Sequence, residues 1–128
     1  VDVAVGAAAI LGSDELNQGM YFVDVIAGET TNSVVAPGSG SRTDIVVLRV
    51  NDSSAGGPAG DNATVELIEG TTVPTSAILL ATIARRAGSA ISTADITDAR
   101  PLGPYPYGVG TSGPPAVGVE GDLYVQVS

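Results

Sequence analysis

Asp44, Arg49, Asp98 and Arg100, with Arg42 just ahead of Asp44, are the side chains whose types and placement could do chemistry together. A guanidinium binds planar partners through paired N–H donors, so such a cluster could grip a saccharide by bidentate hydrogen bonds. All five sit in or beside apolar segments, SRTDIVVLRVND (Ser41 to Asp52) and ITDARP (Ile96 to Pro101). A lone charge buried on an apolar strand is costly, so these groups read as paired structural charges that fix strand register or a subunit contact.

Other constellations are weaker. Asp52, Asp61 and Asn62 lie in a Gly-rich stretch and could offer oxygens to Ca²⁺, but neither EF-hand nor nonapeptide spacing is present, and the stretch reads as a solvated loop. A glycosidase needs two carboxylates about 5 to 9 Å apart. Asp95 with Asp98, or Glu66 with Glu69, are the nearest pairs, and with no Trp to stack on a sugar ring they read as surface charge. NDS at Asn51 and NAT at Asn62 match glycosylation acceptors, a pattern common by chance. Tyr105 and Tyr107 in PYPYG read as side chains that pack an arm onto a neighbouring subunit. No residue is assigned a catalytic, cofactor-binding or metal-binding role.

Composition narrows the chemistry further. The chain has no His, Cys, Trp or Lys. That excludes Ser-His-Asp and Cys-His nucleophile systems, imidazole or thiolate metal sites, and Schiff-base lysine chemistry. Five Arg against fourteen acids give a net charge of −9. Such a surface repels phosphate backbones and anionic lipid, so neither nucleic acid nor a membrane is an expected partner. No run reaches the about 18 apolar residues of a spanning helix, and the start VDVAVGAAAIL lacks the basic region of a signal peptide. The absence of an initial Met suggests a fragment or a processed product. Arg used to the exclusion of Lys suggests a GC-rich genome.

The elements that would position these residues are strands. VDVAV alternates with period two, AAAIL either extends that strand or turns helical, and SDELNQG carries turn and helix-start chemistry. MYFVDVIAG is a second strand, and Thr30 to Ala36 a short third one before a Pro-Gly-Ser loop. Thr43 to Val50 is the strongest, with Val46, Leu48 and Val50 on one face, Ile45 and Val47 on the other, and one charge, Asp44 or Arg49, on each. Both faces should be covered. ATVELIEG follows a long loop and should pair with it, placing Arg49 and Glu66 on neighbouring strands. Ala77 to Ala84 is a continuous apolar strand, and ISTADITDAR is either a short strand or a capped turn.

After Arg100 the composition changes. Residues 101–121 hold most of the prolines and many glycines and should form an extended arm or linker. Their near-triplet glycines are broken at Ala116, which rules against a collagen axis. Residues 122–128 alternate Leu123, Val125 and Val127 against Tyr124 and Gln126, like the start of a strand seeking a partner.

The Arg-x-Asp-x-Val-Val-x-Arg-Val arrangement of Arg42, Asp44, Val46, Val47, Arg49 and Val50 resembles a module of tailed-bacteriophage tail-tip proteins of the minor tail, baseplate and tail-fibre type, particularly from phages of high-GC hosts. The similarity continues through VELIEGTT, PTSAILLATIARRAG and the closing Ile96, Thr97, Asp98 and Arg100, and covers roughly Val1 to Pro101. Such proteins are trimeric β-structured shoulders that carry fibre segments toward host-binding tips.

The sequence therefore predicts a mainly β protein: an antiparallel β-sandwich or small β-barrel over 1–100, then the Pro/Gly-rich arm and the terminal strand. Its structural or interface candidates are Arg42, Asp44, Arg49, Asp98, Arg100, Tyr105 and Tyr107. The resemblance implies a non-enzymatic virion component, a homotrimer in contact with other tail or baseplate proteins and with host cell-wall glycan. The alternatives are a carbohydrate-binding receptor module and a capsid decoration or head-fibre protein.

Overall fold

The structure is a computed structural model and describes residues 1–100. The arm at 101–121, the terminal strand at 122–128, and Tyr105 and Tyr107 with them, lie outside the described residues.

Eight strands follow one another: β1 (Asp2–Val3), β2 (Gly6–Leu11), β3 (Met20–Val25), β4 (Glu29–Thr30), β5 (Ser41–Asn51), β6 (Asn62–Ile68), β7 (Ala77–Arg86) and β8 (Ile96–Asp98). Every pairing is antiparallel. Four strands make one sheet in the order β6-β5-β7-β8, while β2 with β3 and β1 with β4 form two-stranded ladders. The fold is thus mainly β and antiparallel, as the alternating segments predict.

One core joins the ladders to the sheet. Val3, Ala8 and Ile10 meet Val46, Leu48, Val50, Leu67, Leu80, Ala81 and Ile83 in a single buried cluster. The β2–β3 hairpin therefore lies over one face of the four-stranded sheet, the two-layer solution that lets each amphipathic face hide from water. The other face of β5 is covered too, since Ile45 and Val47 are as buried as Val46 and Leu48. A bulge in the β5–β7 ladder explains why β7 reads as continuously apolar. Val46 pairs with Ala81 but Val47 with Leu79, leaving Leu80 as the extra residue. Strict alternation would send Leu80 and Ala81 to opposite faces; the bulge lets both enter the same core cluster.

The structure corrects three local expectations. The opening strand does not run through Val5: only Asp2 and Val3 pair there, and GAAAIL is a separate strand, not helical, with Ala8 and Ile10 inward and Leu11 outward. Thr30 to Ala36 is not a strand beyond Thr30. There Asn32 uses its side chain, not its backbone, to bond β6, accepting from Leu67 N at 2.8 Å and donating to Leu67 O at 3.0 Å. ISTADITDAR is both of its alternatives in succession. Ser92 and Asp95 form a capping box around the 3₁₀ turn Thr93–Asp95, and Ile96–Asp98 then pairs with β7.

Candidate functional site

Asp44 is fully buried at one end of the sheet. Its carboxylate accepts from Arg42 Nε at 2.7 Å and Nη2 at 3.0 Å, and from Gly70 N at 2.9 Å. Arg42 also donates to Glu69 at 2.7 Å and to the Val35 carbonyl at 2.8 Å. Arg85 completes the group, donating to the Val34 carbonyl at 2.8 Å while its Nε stands 3.7 Å from Asp44, close enough for attraction but too far for a hydrogen bond. The Arg42 hydrogen bonds, aided by Gly70 N–H, hold the Asp44 carboxyl below the usual carboxylate range against the opposing pull of burial. The cluster ties the 34–35 segment and the turn after β6 to the ends of β5 and β7. Both oxygens of the buried Asp44 carboxylate are occupied from within the fold, which suits a clamp.

The remaining candidates are not brought to Asp44. Arg49 lies on the opposite face of β5, beside Thr64 and Ala77, and its Nε is buried without a hydrogen-bond partner among the described residues. Asp98 and Arg100 pair with each other at the exposed end of β8, where the guanidinium lowers the Asp98 carboxyl pKa. The four-residue saccharide grip is therefore split among three places. Arg49 and Glu66 do lie on neighbouring strands, yet Glu66 accepts from Thr64 at 2.8 Å.

A second polar network was not foreseen. Ser13 and Ser76 bond reciprocally, backbone N–H to hydroxyl, at 2.9 and 2.8 Å. Asp14 accepts from Ser76 and Thr75, both at 2.5 Å, and these hydroxyls lower its carboxyl pKa. Gln18 accepts from Asp14 N at 2.7 Å and donates to Tyr21 at 2.8 Å, and Tyr21 donates to Asp52 at 2.5 Å. Asp52 also caps the 3₁₀ turn Ser53–Ala55 by accepting from Ser54 N–H, while the hydrogen bond from the Ser54 hydroxyl is the main cause of its lowered pKa. This chain sews the β2–β3 turn to the loop after β5. Serine, threonine and aspartate in turns carry no long-range signal by type, so only the β5–β7 register, which brings Ser76 beside Val50, reveals it.

Between β3 and β6 runs an open furrow formed by two cavities of about 460 and 420 Å³. Val23, Asp24, Asn62 and Ala63 line both. Tyr21, Phe22, Asp52 and Asp61 stand at one end and Ile26, Glu29 and Thr30 at the other. The loop groups considered for Ca²⁺ are engaged: Asp61 accepts from Ser53, Asp52 from Ser54 and Tyr21, and Asn62 from the buried Asn51 amide. No group of three metal-ligating side chains occurs among the described residues. The paired acids are likewise bound elsewhere, Asp95 to Ser92 and Glu69 to Arg42.

The outward face of the β2–β3 hairpin carries large apolar side chains together with the exposed Asp24 carboxylate, which lies opposite Ala7. Leu11 pairs across it with Met20, and Ala9 with Phe22. Leu11 is 64%, Met20 56% and Phe22 77% exposed, with Val5 and Ile26 exposed at its other end. Comparison with protein families, curated proteins and solved structures gives no match for this chain.

Proposed function

We propose that this chain is a structural assembly module, a component of a phage tail tip, baseplate or fibre that forms a symmetric homotrimer and positions host-binding parts. The observation that carries the assembly role is the hairpin face of Val5, Leu11, Met20, Phe22 and Ile26, large apolar side chains held in water on an acidic chain. Large apolar side chains left exposed on one face, here beside the Asp24 carboxylate, are characteristic of a protein–protein contact. The virion setting rests on the resemblance of the Arg42 to Val50 and Ile96 to Arg100 segments to tail-tip modules. The internal pairing of Arg42, Asp44, Asp98 and Arg100 favours a scaffold role over ligand recognition.

Light scattering on the whole chain tests the reading. A mass of three chains that falls to one in the Phe22→Asp variant supports it. A single-chain mass at every accessible concentration overturns it, and attachment to capsids lacking tails would move the protein to the head.

A further inference from the structure

Two strand edges and four carboxylates meet in the furrow between β3 and β6. Asn62 to Val65 of β6 line it without a break, as do Tyr21 to Ile26 along β3 and just past its end. Successive side chains of a strand point to opposite faces, so unbroken runs of this kind are strands met edge-on. β6 is the outermost strand of its sheet and β3 pairs only with β2, so no strand among the described residues pairs with either edge. At Leu67 the Asn32 carboxamide supplies the donor and acceptor that a neighbouring strand would supply. Backbone groups alternate in direction along a strand, so the N–H and C=O groups of Val65 and Ala63 project to the same side as those of Leu67. The edge from Asn62 to Glu66 is about 17 Å long at roughly 3.4 Å per residue.

Asp24, Glu29, Asp52 and Asp61 line the same furrow. The ion pairs among the described residues lie elsewhere, at Asp44, Glu69 and Asp98, so none of these four carboxylates is matched by a cation. Asp24 and Glu29 are exposed, and Asp61 accepts from Ser53 through Oδ1 alone, which leaves Oδ2 open. A groove lined by one sign of charge concentrates the opposite sign. Between the acids stand Val23, Val25 and Val65, so the lining alternates acidic and apolar groups.

We propose that the furrow docks a short, extended, cationic segment of a different protein, which adds as a strand to the β6 edge at Ala63 and Val65. Its main chain satisfies the open edge, and its Arg or Lys side chains meet Asp24, Glu29, Asp52 and Asp61. Charge decides against this chain as its own ligand. A second copy brings a net charge of −9 to a furrow of the same sign, and residues 101–128 contain Glu120 and Asp122 but no basic residue. The site needs no second copy, so it stands or falls apart from the trimer proposed above.

Fluorescence anisotropy of the full-length protein tests it with a labelled, end-blocked Arg-Val-Arg-Val-Arg-Val peptide. Beside it are run the corresponding Glu-Val peptide and two forms of the arginine peptide, N-methylated on the arginines or on the valines. The arginine peptide should bind, the Glu-Val peptide should not, and at least one methylated form should fail, because it lacks the N–H groups that face β6. Asp24→Asn with Glu29→Gln should weaken binding about tenfold, the loss expected when a few exposed ion pairs go together. Removing two charges at the opposite edge of the sheet, by Asp95→Asn with Asp98→Asn, should change it by no more than about twofold. Equal losses in the two double variants overturn the furrow as the site. Undiminished binding of both methylated forms overturns strand addition, and equal binding of the Glu-Val peptide overturns the choice of a cation. No binding at millimolar arginine peptide overturns the docking site, while light scattering reports on the trimer separately.

Discussion

Tyr21 donates its phenolic hydrogen to Asp52 at 2.5 Å across 31 residues of sequence, and so fastens the β2–β3 hairpin to the loop that leaves β5. The bond has a titration signature. A phenolate facing the Asp52 carboxylate is disfavoured, so the Tyr21 pKa lies above the ordinary tyrosine value. Tyr21 should ionise above the ordinary tyrosine value in a titration that resolves it, and Asp52→Asn should bring it back toward that value. A raised folded-state pKa stabilises the fold below the ordinary tyrosine range, and that contribution is lost as pH rises through the folded value. Ionisation of Tyr21 at the ordinary tyrosine value in the folded protein, unmoved by Asp52→Asn, would refute the bond.

Asp44 predicts the opposite dependence at the acid end. Arg42 and Gly70 hold its pKa below that of a free carboxyl, and Asp14, Asp52, Asp95 and Asp98 are shifted the same way by their own hydrogen bonds. A depressed pKa stabilises the fold above the unfolded value, about 4, and that stability is lost as pH falls through the folded values. Urea midpoints followed by circular dichroism should stay level from neutral pH down to about 5 and then drop. Asp44→Ala leaves the buried Arg85 without a carboxylate and Arg42 with only the exposed Glu69, and should cost about 3 kcal/mol or more at pH 7, a deficit that narrows in acid. Arg42→Lys should also destabilise, because an ammonium cannot serve Asp44 in bidentate fashion while reaching Glu69 and the Val35 carbonyl.

Much of this arrangement is readable from period-two alternation and some of it is not. The faces of β5 follow from Val46, Leu48 and Val50 against Ile45 and Val47, and the same alternation already separates Asp44 from Arg49. Arg42 with Asp44, and Asp98 with Arg100, are two residues apart and thus share a face of an extended chain. Arg85 reaches Asp44 only because β7 pairs with β5 in a register that puts Arg42 opposite Arg85, and nothing within ten residues of Arg85 encodes that register. Asn32 sits in a segment whose Thr and Val content favours a strand, and its bond to Leu67 depends on a β6 edge formed 35 residues later. Long-range polar partners of this kind are set by topology, which local pattern does not carry.

Ser76 is a buried hub in the left-handed region, with φ at 51°. Its carbonyl accepts from Val50 N at 2.8 Å, while its hydroxyl accepts from Ser13 N and donates to Asp14. Ser76→Ala preserves the backbone bond but strands Ser13 N–H and one oxygen of Asp14, which should cost about 1–3 kcal/mol. Thr75→Ala, at an exposed hydroxyl serving the same carboxylate, should cost clearly less. Chemical denaturation of the two variants side by side checks the order, and equal losses would mean that Ser76 is not the hub.

Leu80 and Leu11 are the same residue in opposite settings, 0% and 64% exposed. The bulge drives Leu80 into the core, so Leu80→Ala should cost about 2–5 kcal/mol in transfer and cavity terms. Leu11 projects from the outer face of the hairpin beside Met20, and Leu11→Ser removes no core contact. Its effect on the folding of one chain should stay within about 0.5 kcal/mol, the range of ordinary surface substitutions. If the hairpin face is a subunit contact, Leu11→Ser should weaken association, seen as a concentration-dependent mass by light scattering. Leu80→Ala should lower the unfolding midpoint and, below that midpoint, leave the mass unchanged. A Leu11→Ser variant that unfolds early yet keeps its full mass would place that face inside a subunit's own core and remove the main support for assembly through it.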